Sequence, residues 1–451
     1  MKISTIILAA GKGTRMRSKY PKVLHPIAGE PMAWHIIQAV KEFSDELPTV
    51  VVGYKAEEVK DSLGDNAHFV LQNEQKGTAH AVQQAEDLLK GNSDIVVVLL
   101  GDMPLIKGQT LKALTETQKN NTGPVSMLTV LSENPRGFGR ISRNKKGQVE
   151  AIIEEADCTS EQLKINELNV SVYCFQADWL WDNLENIPVS SKGEFYLTDI
   201  IKVATDKGLN VHAEAISDPQ EAIGINSRVH LSEAERIMRR RINQTWMEAG
   251  VSIIDPQTTY IHTNVKIGQD TTIYPNTHLQ GNTIIGEDCE IGPNTTINNT
   301  CIGNNCKIIS SVLEYAKVEN HVDIGPFGHL RKGAHLADGV HMGNYGEIKN
   351  SYIGPGTKIG HFSYLGDTTT GKNVNIGAGT ITANYDGVNK NKTEIADDVF
   401  IGSDTMLIAP VKIGKGARTG AGSVVNKDVG EGEVVVGMPA RAIRRRKDNS
   451  E

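Results

Sequence analysis

The chain has 451 residues, 39% hydrophobic and 22% charged, with a formal net charge of -7; this exceeds one ordinary core and predicts two or three domains of a water-soluble globular protein. The acidic balance excludes a global pull towards nucleic acid or anionic lipid, and the one basic run, RAIRRRK at 441–447, reads as a solvated terminus. Five cysteines, Cys158, Cys174, Cys289, Cys301 and Cys306, are odd in number and lack C-x-x-C spacing, so neither a zinc site nor a disulfide framework is indicated and reduced cytosolic thiols are expected.

The first element, STIILAA after Lys2, is strand-like and could also pass for a short signal segment. The charged loop GKGTRMRSK follows at once and no small-residue cleavage spacing precedes it, so a cytoplasmic location is expected. No apolar run approaches the roughly 18 residues of a membrane span. Further strands read at TVVVGY, HFVLQN, DIVVVLLGD and VSMLTVL, and helices at PMAWHIIQAVKEF, AEEVKDSL, TAHAVQQAEDLLK and TLKALTETQK. This alternation, up to about residue 227, predicts a mostly parallel α/β sheet covered on both faces.

Ligands of such sheets bind beyond the carboxyl ends of the strands, where LAAGKGTRM (Leu8 to Met16) and Gly101-Asp102 both fall. The glycine loop completes neither G-x-G-x-x-G nor the Walker pattern. Its Gly11 and Gly13 still let the backbone approach phosphates closely, and Arg15 and Lys22 supply charge for a triphosphate. Asp102 ends the most apolar strand of this half, where a carboxylate has no structural partner. Mg²⁺, held by few protein ligands plus phosphate oxygens, is its natural counterpart.

Residues 228–250 read as one connecting helix ended by Gly250. Beyond it an aliphatic residue recurs every six positions: Ile267, Ile273, Leu279, Ile285, Ile291, Ile297; Val312, Val318, Ile324, Leu330, Leu336, Met342, Ile348; Ile353, Ile359, Leu365; and Ile395, Ile401, Leu407, Ile413. That period predicts a hexapeptide parallel β-helix, each short strand pointing one aliphatic residue inward before the chain turns a corner. The polar stretch ITANYDGVNKNKTE (381–394) is expected to leave the coil as a functional loop.

These halves, in this order, resemble the bifunctional bacterial UDP-N-acetylglucosamine pyrophosphorylase / glucosamine-1-phosphate N-acetyltransferase family. The likeness rests on LAAGKGTRM with PKVLH, Gln72 with QKGTAHA, GDMPL and GFGRI, then LRKGAH, GEIKNS, GHFSYLGD, NIGAGTITANYDG and GSDTMLIAP, and spans essentially the whole chain. It implies an α/β nucleotide-sugar-transferase (Rossmann-like) domain at 1–227, a linker helix at 228–250 and a left-handed parallel β-helix at 251–451. It also implies a homotrimer built through the β-helix, Mg²⁺, acetyl-CoA and UTP as cosubstrates, and a product that feeds cell-wall synthesis.

For uridylyl transfer the resemblance places uracil against Leu8, Ala9, Ala10 and Gly11, with Gln72, Gly77 and Thr78 reading its edge. Arg15 and Lys22 are the catalytic cations, Gly139, Glu154 and Asn169 meet the sugar, and Asn226 joins Asp102 on the metal. Asn169 is followed by Val-Ser where the family implies Thr-Gly. For acetyl transfer an amine needs a general base titrating near neutrality, which suits histidine, and the resemblance selects His361; Glu347 is expected, on chemical type, as its orienting carboxylate. Arg331, Lys349 and Lys390 would hold the sugar phosphate, with Tyr364 and Asn375 at the hydroxyls. Acetyl-CoA would touch Ala378, Asn384, Tyr385, Ser403 and Ala421, with Arg441 at a CoA phosphate.

Two rivals differ in their needs. A single-activity nucleotidyltransferase with a regulatory or oligomerising β-helix does not require Lys349, His361, Asn384 and Tyr385. An assembly protein with a degenerate head would be expected to lose Arg15, Lys22 or Asp102, and all three are present.

Overall fold

The computed structural model of the protein describes residues 1–190 and 193–445; Arg446 and Lys447 of the basic run lie outside them. The chain forms two compact units, Met1–Met238 and Arg239–Glu451, and the division falls within a helix spanning Arg228–Glu248.

In the first unit the strand Ile3–Leu8 lies between Ile95–Leu100 and Thr49–Val52, parallel to both, and His68–Leu71 extends the sheet past Thr49–Val52. On the other side follow Glu167–Gln176, Val125–Leu131 and Val211–Ala215. Glu167–Gln176 runs antiparallel to both its neighbours, and a hairpin of Arg140–Arg143 and Val149–Ile153 pairs onto it. The inner strands read as uninterrupted apolar runs because both faces are covered. Ile7, Val50, Val52, Val97 and Leu99 pack with the helices Met32–Lys41 and Gly108–Asn120. Ile6, Val51, Val96 and Val98 pack on the opposite face with Ala79, Val82, Leu180 and Ile200. The segment expected as one helix at TAHAVQQAEDLLK is two, Thr78–Gln83 and Glu86–Leu89.

The second unit is a left-handed parallel β-helix whose short strands stack into sheets of 12, 10 and 9 strands. Its interior is one continuous apolar column set, for which Leu279, Ile297, Leu313, Leu330, Ile348, Leu365 and Leu407 on the 10-stranded sheet are fully buried. Corners such as Asp270, Asn276, Asp288, Asn294 and Asn305 take φ between 54° and 59°, the left-handed region that short polar side chains tolerate best among non-glycines. The six-residue register needs one correction. Val312, expected inward, is 40% exposed, and Leu313 is the buried residue. The cause is spacing: one residue fewer than a strict repeat separates Ile308 from Leu313 and Leu313 from Val318, so the alternation slips by one. The insertion is also narrower than 381–394, since Ile381–Ala383 and Thr393–Ile395 remain coil strands. Residues 384–392 form the loop. No helix among the described residues is long and apolar enough to cross a membrane.

The slip makes a stability prediction. Leu313→Ala is expected to cost about 2–5 kcal/mol in denaturant unfolding of the β-helix, against less than about 0.5 kcal/mol for Val312→Ala. Equal losses would contradict the register described.

Candidate active sites

Ile3–Leu8 and Ile95–Leu100 end side by side, Leu8 opposite Leu100. The glycine loop and Gly101-Asp102 therefore leave the sheet together, with Gly101 N–H donating to Leu8 O at 2.9 Å. At the next strand ends, Ala9 N–H donates to Val51 O at 2.9 Å and Gln72 N–H to Val52 O at 2.8 Å. A cavity of about 290 Å³ opens there, lined by Leu8, Ala9, Ala10, Gly11, Lys22, Gln72, Gly77, Thr78 and Asp102. All nine are positions singled out in the sequence. Gln75, which opens the QKGTAHA motif but carries no expected role there, lines it as well, as do Glu194 and Tyr196; no sequence signal marked the last two, because they reach the cavity only through the tertiary fold.

Gly77 is forced by packing. Its φ is 109°, and an added Cβ would lie 2.4 Å from Phe195 O. There Phe195 N–H donates to Lys76 O (2.8 Å), Ala79 N–H to Phe195 O (3.0 Å) and Leu197 N–H to Thr78 Oγ1 (2.9 Å). The buried Gln72 amide completes the wall, donating through Nε2 to Gly77 O at 3.1 Å.

Charge concentrates at the cavity rim. Lys22 is ion-paired with Asp102 and donates to Asn226 Oδ1 at 3.1 Å, which also accepts from Arg15 Nη2 at 2.9 Å. Asp102 is 8% exposed, and its Oδ1 is buried with no hydrogen-bond partner. A buried acceptor left unmade costs about 1–3 kcal/mol, and a hard divalent cation coordinated by carboxylate and amide oxygens would satisfy it. The donor set of Asp102 and Asn226 thus fits Mg²⁺. Among the described residues no group of three or more His, Cys, Asp or Glu is placed to hold a metal, so ligand oxygens would have to complete the shell.

The three residues assigned to the sugar do not line that cavity. Asn169 N–H donates to Gly139 O at 2.9 Å, and Glu154 Oε1 accepts from Thr198 Oγ1 at 3.0 Å. Asn169 Oδ1 accepts from Ser171 N–H at 3.0 Å across a bulge in the strand. Ser171 has φ 57°, which accounts for the glycine expected two residues after Asn169: the bulge places that position in the left-handed region.

In the second unit Met342, Ile359, Ile376 and Ile401 stack coil on coil, and each is followed by glycine. An added Cβ on Gly343 would lie 1.9 Å from Gly360 O, and on Gly377 2.5 Å from Ser403 N. The residue after each glycine is carried to one edge, so Asn344, His361, Ala378, Ser403 and, one coil on, Ala421 form a column. His361 is exposed and its Nδ1 lies 3.3 Å from Asn344 Oδ1. The expectation for Glu347 is corrected: its carboxylate accepts from Arg331 Nη1 at 2.8 Å, a residue of the neighbouring coil, and Asn344 is the partner of His361.

The 10-stranded sheet carries the other group. Arg331 N–H donates to Ile348 O at 2.9 Å, placing Arg331 beside Lys349 on the next coil, and Tyr364 is paired with Glu347. Lys390, from the loop, and after it the charge of Arg331, hold the Lys349 ammonium below the usual lysine range. Asn384 Nδ2 donates to Asp367 Oδ2 and the Tyr385 hydroxyl to Gly387 O at 2.6 Å. Asn375 is on the 12-stranded sheet between Lys358 and Phe400, away from the face bearing Tyr364. Arg441 lies on the antiparallel strand Ala440–Arg445 that ends the 12-stranded sheet.

Residues 4–248 match the nucleotidyl transferase family model, and residues 264–299 and 392–427 match the bacterial transferase hexapeptide (six repeats) model. The chain is 46% identical to the bifunctional protein GlmU of Heliobacterium modesticaldum, covering 96% of this chain and 95% of that one. It is 44% identical to GlmU of Shouchella clausii, over 98% and 97% of the two chains, and 45% identical to GlmU of a Geobacillus strain, over 98% and 96%.

The packing at Gly77 can be checked directly. Gly77→Ala is expected to destabilise the first unit by about 1–3 kcal/mol. Gly11→Ala, whose added Cβ meets nothing within 4 Å, should change stability by less than about 0.5 kcal/mol. Denaturant titration of the two variants compares them, and an undisturbed Gly77→Ala would contradict the close approach of Phe195.

Proposed function

The chain belongs to the bifunctional GlmU family and is a transferase with two activities, and from this premise we infer how its residues divide the work. Residues 251–451 transfer acetyl from acetyl-CoA to glucosamine 1-phosphate. Residues 1–227, joined to them by the helical segment 228–250, then transfer uridylyl from UTP to the resulting N-acetylglucosamine 1-phosphate and release pyrophosphate.

The observation that carries the first unit's role is the orphaned Asp102 oxygen beside Lys22, Arg15 and Asn226 at the mouth of a cavity walled by backbone. A phosphate oxygen of the sugar attacks the α-phosphorus of UTP, and the bond to the departing pyrophosphate breaks. Little covalent work falls to the protein in such a transfer, so positioning and charge dominate. Leu8 to Gly11 form the floor for uracil, and Gln72, Gly77 and Thr78 present amide and hydroxyl groups to its edge. Arg15 and Lys22 offset the charge that grows on the leaving group. Mg²⁺ held by Asp102 and Asn226 would supply further neutralisation of the phosphates when bound. Gly139, Glu154 and Asn169 receive the acetamido sugar.

In the second unit the contact between Nδ1 of His361 and the Asn344 amide oxygen sets the tautomer. Nδ1 carries the proton, and Nε2 keeps the lone pair that takes a proton from the amine. The freed nitrogen attacks the thioester carbonyl, the C–N bond forms, the C–S bond breaks, and CoA leaves as the thiol. Arg331, Lys349 and Lys390 crowd positive charge that a sugar phosphate would relieve, and Tyr364, on the same sheet as Arg331 and Lys349, meets its hydroxyls, a role that Asn375 on the 12-stranded sheet does not share. Small Ala378 and Ala421, with Ser403, leave the edge open for the pantetheine arm. Asn384, Tyr385 and Arg441 complete the acetyl-CoA contacts.

A homotrimer through the β-helix is supported by an exposed aromatic column. Phe327, Tyr345 and Phe362 occupy equivalent positions on successive coils at 54%, 60% and 56% exposure, with the first two rings stacked at 5.0 Å. Such a patch calls for a covering partner. A cytoplasmic location agrees with acetyl-CoA and UTP as cosubstrates.

His361→Ala is expected to lower thiol release from acetyl-CoA in the presence of glucosamine 1-phosphate by at least about 100-fold, leaving UTP-dependent pyrophosphate release intact. Asp102→Ala should do the reverse, and EDTA should reproduce it. Loss of both activities from either folded variant would refute the division of labour.

A further inference from the structure

The loop 384–392 is braced by two carboxylates that have no role in the chemistry above. At its base, Asp367 sits at a left-handed corner (φ 49°) between Asn350 and Asn384 on neighbouring coils. Each amide Nδ2 donates to a different oxygen of that carboxylate, and Asp367 O accepts Thr393 N–H at 3.1 Å where the chain re-enters the coil. At the tip, Asp386 Oδ1 accepts from Val388 N–H at 2.8 Å and Asn389 N–H at 2.7 Å, and its Oδ2 accepts from Asn391 Nδ2 at 3.0 Å. The loop then closes on its own backbone, Asn391 N–H donating to Asn384 O at 2.7 Å.

What this bracing holds in place is Lys390, whose backbone bridges antiparallel to Tyr385 within the loop and whose charge acts on Lys349, the neighbour of Arg331 on the 10-stranded sheet. Like charges repel, so an unbraced loop would swing its lysine out into water. An arrangement held against that repulsion is one prepared for an anion, and the groups that hold it bear on affinity because a loop ordered in advance loses no freedom when the ligand arrives.

We propose that Asp386 and Asp367 are positioning residues for sugar-phosphate recognition, holding the loop closed so that Lys390 stands with Lys349 and Arg331 before the phosphate binds. This rests on the acetyl-transfer reading of the second unit. Neither carboxylate touches the substrate; Asp386 acts through the loop, and Asp367 acts through the loop and through its charge on Lys349.

The test uses the full-length protein, calorimetric titration with glucosamine 1-phosphate and steady-state thiol release. Asp386→Ala removes only bonds within an exposed loop. It should weaken binding and raise KM for glucosamine 1-phosphate about tenfold, with kcat within about threefold and uridylyl transfer unchanged. Asp386→Asn, which keeps an oxygen for the Val388 and Asn389 amides, should recover most of the loss. Asp367→Asn, whose amide can accept on one side only, should resemble Asp386→Ala. Binding by Asp386→Ala within about twofold of wild type would overturn the proposal, as would a loss confined to kcat, or wild-type protein that does not bind the sugar phosphate at all. Wild-type protein that binds it yet releases no thiol would sink the acetyl-transfer reading, and the titration of Asp386→Ala against wild type would still decide the role of the loop.

Discussion

The β-helix pairs its strands in parallel almost throughout, and in the first unit Ile3–Leu8 pairs in parallel with both its neighbours, so adjacent strands deliver their carboxyl ends, or their equivalent corners, to the same place. In the first unit this sets the ends of Ile3–Leu8, Ile95–Leu100, Thr49–Val52 and His68–Leu71 side by side. Ala9, Asp102 and Gln72 then meet although far apart in sequence. In the β-helix the same rule acts along the coil axis: residues about one coil apart become neighbours, and a glycine repeated at one corner lines up whatever follows it. Asn344, His361, Ala378, Ser403 and Ala421 share an edge for that reason alone.

Each site also holds charge that the chain leaves unbalanced. Asp102 keeps one oxygen without a partner while the other is engaged by Lys22. The second unit gathers Arg331, Lys349 and Lys390, and only Arg331 is paired, with Glu347. Such arrangements lower stability, and they persist because the surrounding sheet and coil over-determine the positions of the groups. The strongest packing is correspondingly elsewhere, in the doubly covered inner strands and in the aliphatic interior of the β-helix. Interior packing supplies the stability, and the strand ends and corners carry the chemistry.

Much of this was legible from residues. The doubly buried strands announce themselves as unbroken apolar runs, and the β-helix shows because each coil side contributes one inward aliphatic residue. The slip at Leu313 escaped because a strict count of six cannot see a shortened corner. The hairpin Arg140–Arg143 with Val149–Ile153 escaped because it has neither a continuous apolar run nor the βα alternation. Asp102 stood out by ending an apolar strand. Asn226 came only from family likeness, and Asn344 went unseen: an asparagine at a turn has no local pattern, and its meaning depends on which coil lies above it. Glu347 was matched to His361 on chemical type, but the nearest cation, Arg331 on the adjacent coil, takes its carboxylate.

The central claim is that one chain performs both transfers in sequence. The most direct measurement supplies the purified chain with glucosamine 1-phosphate, acetyl-CoA, UTP and Mg²⁺ and follows the nucleotide sugar by chromatography. The account predicts UDP-N-acetylglucosamine, with free thiol and pyrophosphate appearing in equal amounts. Pyrophosphate release from UTP with preformed N-acetylglucosamine 1-phosphate, accompanied by no acetyl transfer to glucosamine 1-phosphate under any condition, would contradict it.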